Sequence, residues 1–310
     1  MIYLLIVIGF VLLIAGGNLL VDGSVAVARK LKVSPLLIGV VLVGFGTSTP
    51  ELLTSMIAAY KGVDGIAVGN VIGSNIANIF LVLGLAAFLR PVPVHKKSFK
   101  RDGLFLIIST VVLVFALLCG TIGRFVGLLM CATLFFYVAY SYRTEKYIAS
   151  ETEHQDEIAE PVRSLLFSLV KTIGGIALTV YGARLLVDNS ASLAQVWGVD
   201  AKIIGLTVVA VGTSLPELIT SIVASLKKQS DLAFGNVVGS NIYNALFILG
   251  ATALFLPISV PAHVVSDILV MCLATILMLI FGSRGRISRK MGALFLTLYV
   301  VYVIYLAQSI

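Results

Sequence analysis

The chain has 310 residues, 59% of them hydrophobic and only 12% charged, with a formal charge of +7. Soluble domains carry about 25% charged residues, so this composition excludes an ordinary soluble fold and indicates an all-α integral membrane protein. The surplus of positive charge does not indicate a nucleic-acid partner, because the basic residues are distributed by membrane face.

A helix needs about 20 apolar residues to cross a bilayer. The sequence has room for ten such spans, over 2–28, 34–60, 65–89, 103–120, 124–142, 162–193, 200–226, 231–256, 263–282 and 290–308. The first run has no basic segment or small-residue cleavage site and is long for a signal peptide, so it reads as an uncleaved helix. With ten spans, one face collects 17 of the 22 Lys and Arg residues. The other face receives Lys61, Arg124 and Lys202, while Lys171 and Arg184 fall inside the sixth span. The positive-inside rule then predicts a multi-pass protein of the plasma (cytoplasmic) membrane with both termini extracellular. Cys119, Cys131 and Cys272 lie in apolar runs without metal-ligand spacing and read as packing residues.

The second span contains Gly46-Thr47-Ser48-Thr49-Pro50-Glu51, and the seventh contains Gly212-Thr213-Ser214-Leu215-Pro216-Glu217. The two glutamates are 166 positions apart. The same offset relates Gly16 to Gly182, Asp22 to Asp188, Gly39 to Gly205 and Asn78 to Asn244, without a gap as far as Val94 and Val260. It also aligns Gly69-Asn70-Val71 with Gly235-Asn236-Val237, and Gly73-Ser74-Asn75-Ile76 with Gly239-Ser240-Asn241-Ile242. Each copy holds five spans. An odd number makes the second copy enter from the opposite face, so the sequence predicts two inverted five-helix repeats, over 1–142 and 162–310. Secondary transporters share this architecture, with sites near the midplane built from discontinuous helices. The hydrophilic stretch between the copies, 143–161, reads as a cytoplasmic linker. Its carboxylates lack the spacing of a Ca²⁺ loop.

Helices 2, 3, 7 and 8 are expected to carry central ion sites. Proline removes a backbone donor and clashes with the preceding turn, so Pro50 and Pro216 should break helices 2 and 7 and free carbonyls around Gly44–Thr47 and Ala210–Thr213. An ionised side chain at bilayer depth costs roughly 2.5–3.5 kcal/mol, and Glu51 and Glu217 follow directly after the prolines. A cation is the natural compensating partner. Thr47, Ser48, Thr213 and Ser214 add hydroxyls. Ser74 with Asn78, and Ser240 with Asn244, share helix faces; they either hold ions or tie helices together. Gly69-Asn70 and Gly235-Asn236 either start helices or bind ions. Asp22 and Asp188 read as structural or rim residues. Every donor is a hard oxygen, which suits Ca²⁺ or Na⁺ and argues against Zn²⁺ or Cu⁺. No nucleophile–base set or phosphate loop points to an enzyme, and no cofactor or protein partner is expected beside the lipid bilayer.

The paired Gly-Thr-Ser-x-Pro-Glu and Gly-Asn-x-x-Gly-Ser-Asn-Ile-x-Asn motifs resemble the Na⁺/Ca²⁺ exchanger family of the cation/Ca²⁺ antiporter superfamily, in its short prokaryotic branch. The resemblance implies four ion sites in a central diamond. It places Glu51, Glu217, Thr47 and Thr213 around Ca²⁺. Gly44, Ser48 and Ser240 would serve one peripheral Na⁺, and Ala210, Ser214 and Ser74 the opposite one. Glu51, Glu217, Asn78 and Asn244 would surround the central position, and helices 1 and 6 would slide across the other eight. Asn at 244, where some relatives have Asp, disfavours K⁺ coupling. The acid that the Ca²⁺/H⁺ branch carries in its Gly-Asn motif is absent here. Ca²⁺/H⁺ exchange stays open because protons can neutralise the two glutamates; a Ca²⁺ channel is the remaining alternative.

Overall fold

The computed structural model describes residues 1–152, 164–197, 210–261 and 264–308, with backbone alone at 96–98, 145–152 and 210–211. Helix α1 spans Ile2–Leu31 and ends where Lys32 turns left-handed at φ 53°. Ser34 then caps the next helix by accepting a hydrogen bond from Leu37 N, with Pro35 in the first turn where its missing N–H is tolerated. That helix, α2 (Pro35–Thr47), meets α3 (Thr49–Tyr60) at a bend of 42°. There follow α4 (Asp64–Leu89), α5 (Lys96–Leu118), α6 (Arg124–Thr152) and α7 (Leu165–Val196). The remaining helices are α8 (Ala210–Thr213), α9 (Leu215–Leu226), α10 (Ser230–Phe255), α11 (Val265–Ser283) and α12 (Arg289–Gln308).

Among the described residues, eight helices are long and apolar enough to cross a membrane, or nine if the bent α2–α3 pair is one span. The first part of the expected seventh span, 200–209, lies outside the described residues. Helix α6 runs to Thr152, into the stretch read as linker, and 153–163 is likewise outside. The outer helices present large apolar side chains, among them Tyr3, Phe125, Phe135, Leu166 and Leu269, as a bilayer-facing surface requires. Helices α4 and α10 are the most enclosed.

Four two-residue strands tie the halves together. β1 (Val92–Pro93) pairs antiparallel with β4 (Arg286–Ile287), and β2 (Thr121–Ile122) with β3 (Ile258–Ser259). β1 and β3 are counterparts at the 166-residue offset, so each copy lends its strand to the other. The two ribbons sit at opposite ends of α4. Asp64, which opens α4, accepts from Ser259 N at 2.8 Å, whereas Leu89, which ends it, accepts from Arg289 at 3.2 Å. His95, beyond α4, lies 3.3 Å from Asp231 at the start of α10. Helices α4 and α10 therefore run antiparallel.

α1 and α7 form a closely crossed pair. A Cβ on Gly175 would lie 2.4 Å from Leu20 N, and one on Gly182 would lie 2.6 Å from Leu13 N, so only glycine permits this approach. Thr172 and Thr179 help by turning their hydroxyls back onto the carbonyls of Ser168 and Gly175. The pair meets the rest of the protein through a small apolar cluster including Leu20, Val27, Leu37, Val43 and Ala224. The main core, around α4 and α10, is separate.

Candidate ion-binding site

Both motif copies break the chain two residues before the proline. Ser48 (φ −83°, ψ 9°) and Ser214 (φ −86°, ψ 5°) occupy the bridge region between two helices. Pro50 and Pro216 sit in the first turn of the next helix. Each proline deprives the carbonyl four residues back, at Gly46 or Gly212, of its regular donor. The break also puts Glu51 and Glu217 in the first turns of α3 and α9, where the positive end of the helix dipole favours a carboxylate.

The two carboxylates are buried, at 1% and 0% exposure. Ser48 Oγ donates to Glu217 Oε1 at 2.9 Å, which brings the hinge of the first half onto the acid of the second. Ser240 Oγ lies 3.5 Å from the same oxygen and 3.4 Å from Gly44 O. Thr47 Oγ1 has three acceptors in reach, Val43 O, Gly44 O and Asn236 Oδ1. The chain departs from regular helix at the neighbouring positions: wider π-type turns cover Gly39–Gly44, Asn78–Leu83 and Asn244–Ile248. Such turns re-aim side chains and recur at functional sites. The Asn78 turn packs against α9, which carries Glu217, and the Asn244 turn packs against α3, which carries Glu51.

Oxygens without partners gather on these elements. Among the described residues, both oxygens of Glu51, Oε2 of Glu217, Ser214 Oγ and the whole side-chain amides of Asn78 and Asn244 have no hydrogen-bond partner. A buried polar group without a partner costs about 1–3 kcal/mol, and a charge costs more. Buried side-chain atoms without a partner also occur outside this cluster, as at Ser24 Oγ on α1. Cation coordination would satisfy the oxygens of this cluster together.

The remaining expected site residues lie on the same elements. Ser74 and Thr213 border a cavity of about 360 Å³, together with Thr54, Asn70 and Gly73. A second cavity, of about 350 Å³, reaches Thr213 from Pro50, Thr54, Arg184 and Asp188. Ala210 opens α8, which packs against α4; its side chain is outside the described set. Asp188 forms an exposed pair with Arg184 at 3.6 Å, whereas Asp22 bridges Lys171 at 3.4 Å and Lys227 at 2.7 Å.

The Gly-Asn motifs do not start helices. α4 begins at Asp64 and α10 at Ser230, so Asn70 and Asn236 are interior to them. Their role is to clamp the acid-bearing helices. Asn70 Nδ2 donates to Glu51 O at 3.0 Å and Ser55 Oγ at 2.9 Å, and Asn236 Nδ2 to Glu217 O at 3.2 Å and Ser221 Oγ at 2.9 Å. The sequence did carry a signal for this clamp: Ser55 and Ser221 share the 166-residue offset and follow each glutamate by one helical turn.

The chain is similar to known proteins over nearly its whole length. A family model described as sodium/calcium exchanger protein matches residues 1–143 and 167–308. The sodium/calcium exchanger MaX1 of Methanosarcina acetivorans is 34% identical over 349 residues, with 98% of each chain covered. This chain belongs to the sodium/calcium exchanger family. An uncharacterized membrane protein of Methanocaldococcus jannaschii is 37% identical over 294 residues, covering 95% of this chain and 94% of the relative. The solved structure of the sodium-calcium exchanger NCX_Mj, soaked with Na⁺ and Sr²⁺, superposes with a TM-score of 0.85 at 33% identity, covering 98% and 99% of the two chains.

Proposed function

We propose that this exchanger is a secondary antiporter that moves Ca²⁺ against Na⁺ by alternating access, with both ions held between Glu51 and Glu217. The observation that carries the reading is the cluster of partnerless oxygens around the two buried carboxylates. Glu51, Glu217, Thr47 and Thr213 hold Ca²⁺. Gly44, Ser48 and Ser240 serve one flanking Na⁺; Ser74, Ser214 and Ala210 serve the other; Asn78 and Asn244 complete the centre. The two carboxylates supply a charge of −2, balanced by one Ca²⁺ or two Na⁺. A third Na⁺ on neutral oxygens makes the cycle electrogenic, with Na⁺ moving in and Ca²⁺ out. The bare site is too costly to cross the apolar barrier, so return without cargo is blocked.

The same reading completes ten crossings as two inverted repeats, with residues 200–226 forming the seventh. By the charge distribution the Lys61–Val63 turn is extracellular, so the cavities at Thr54 and Thr213 open the site to the outside. α1 and α7, joined to the rest through a small cluster, are the elements that slide.

Reconstituted Ca²⁺ flux under separately imposed Na⁺, K⁺ and H⁺ gradients, with membrane potential recorded, tests this function. A Na⁺ gradient alone should drive ⁴⁵Ca²⁺ transport and carry charge, and Glu51→Gln or Glu217→Gln should abolish it. Equal transport driven by a pH gradient without Na⁺ would establish Ca²⁺/H⁺ exchange instead. Flux that needs no counter-ion would establish a channel.

A further inference from the structure

The 166-residue offset relates two interfaces that differ in this structure. Gly17 and Asp22 of α1 correspond to Ala183 and Asp188 of α7. Ile219, Val223 and Lys227 at α9 correspond to Leu53, Ile57 and Lys61 at α3. Between α1 and α9 the interface is closed. A Cβ on Gly17 would lie 3.0 Å from Ile219 Cγ2 and 3.6 Å from Val223 Cγ2. One turn beyond Val223, Lys227 ends α9 and reaches back to α1, where its Nζ donates to Asp22 Oδ1 at 2.7 Å and to Asn18 O at 3.5 Å. Lys171 of α7 holds the other oxygen of Asp22 at 3.4 Å. Between α7 and α3 the interface is open. The cavity of about 350 Å³ lies between Ala183, Val187 and Asp188 of α7 and Leu53, Thr54 and Ile57 of α3. Asp188 turns instead to Arg184 on its own helix, at 3.6 Å. Lys61, which ends α3 one turn beyond Ile57, is exposed and forms no ion pair among the described residues.

We propose that Asp22–Lys227 and Asp188–Lys61 are alternating latches. The first ties α1 to α9 in the state seen here, and the second ties α7 to α3 when the site faces the opposite way. Lys61 and Lys227 are positioning residues, which set the balance of the two states without touching a transported ion. The inference rests on the antiport reading, in which α1 and α7 slide against the other helices, and it adds the contacts that mark each end of the slide. Lys171–Asp22 lies within the crossed α1–α7 pair and stays made in both states. Lys227 exchanges for Lys61, so the slide breaks one carboxylate–ammonium pair as it forms its counterpart. Exposed pairs are weak, and each biases the balance by up to about fivefold without locking it. A cation at the C-terminal end of a helix is favourable by itself, but that term is the same in both states and cannot move the balance.

The test uses the full chain in lipid nanodiscs, where saturating Ca²⁺ reaches both faces and the loaded protein samples both states. A water-soluble carbodiimide condenses a carboxylate with an amine in contact with it, and peptide mass spectrometry identifies the amides formed. Both Asp22–Lys227 and Asp188–Lys61 amides are expected from the wild type. Lys227→Ala should raise the yield of the Asp188–Lys61 amide, and Lys61→Ala that of the Asp22–Lys227 amide, each by up to about fivefold. A second readout is the labelling of Thr54→Cys, at the open cavity, in a background without Cys119, Cys131 and Cys272. Lys227→Ala should slow this labelling, Lys61→Ala should speed it, and Lys227→Arg should keep the wild-type rate. Absence of the Asp188–Lys61 amide even in Lys227→Ala, or labelling shifts of the same sign in both alanine variants, would overturn the proposal. Wild-type protein that fails to move Ca²⁺ against Na⁺ in vesicles would instead sink the antiport reading itself.

Discussion

The residues flanking Glu51 and Glu217 are nearly the same in both halves, yet one set is packed and the other borders open space. On α10, Gly235, Asn236 and Gly239 are all buried; on α4, their counterparts are an exposed Gly69 and a half-buried Asn70 and Gly73. A Cβ on Gly235 would lie 2.4 Å from Leu36 O and one on Gly239 2.5 Å from Val40 O, because α2 crosses there backbone to backbone. On Gly69 or Gly73, among the described residues, a Cβ would meet nothing within 4 Å. Thr220 is fully buried, while its counterpart Thr54 lines both cavities. The segment that corresponds to this part of α2 at the 166-residue offset, 201–209, lies outside the described residues, so the comparison holds among the described residues alone.

The sharpest contrast expected is chemical access. In a background lacking Cys119, Cys131 and Cys272, Thr54→Cys should react with a membrane-impermeant thiol reagent, and Thr220→Cys should stay unmodified. Equal labelling would break the comparison. Next come the glycines. Gly239→Ala forces its methyl onto backbone and should lower stability by about 1–3 kcal/mol. Gly73→Ala should be neutral or stabilising by up to about 1 kcal/mol, since alanine is the better helix former. If the faces exchange during transport, Gly73→Ala should nevertheless slow turnover, and a thermally robust but slow variant would sharpen the comparison.

The asparagine clamps should differ in the same sense. Asn236→Ala strands a buried carbonyl and hydroxyl and should cost about 1–2 kcal/mol by thermal unfolding. Asn70→Ala should cost less, because water reaches that side. The smallest effect belongs to the Asp22–Lys227 bridge. Both partners are about a third or more exposed, so Lys227→Ala should change stability by less than about 1 kcal/mol. A larger loss would mean that this contact, and not the α2–α10 crossing, holds the packed face shut.

Much of this was legible in the residues themselves. The paired Pro-Glu copies, the 166-residue offset and the run of apolar segments located the broken helices, the two acids and the oxygen donors. Other features were not legible. The break falls at Ser48 and Ser214 because proline is comfortable in a first helical turn, so the turn falls at the residue before that helix. The residues left Asn70 and Asn236 open between starting helices and binding ions; the helices begin a turn and a half earlier, and the amides clamp across to α3 and α9. The hydrogen bonds from Tyr137 to Asp102 and from Tyr302 to Asp267 lie beyond the gapless match, where the offset slips to 165. Two-residue strands carry too little pattern to be read.

The most direct test of the central claim is equilibrium ⁴⁵Ca²⁺ binding to the purified protein, titrated with Na⁺, for the wild type and for Glu51→Gln and Glu217→Gln. Saturable Ca²⁺ binding displaced cooperatively by Na⁺, and lost in either variant, is the expected result. Ca²⁺ binding that survives both substitutions, or that Na⁺ does not displace, would contradict a shared site between the two carboxylates.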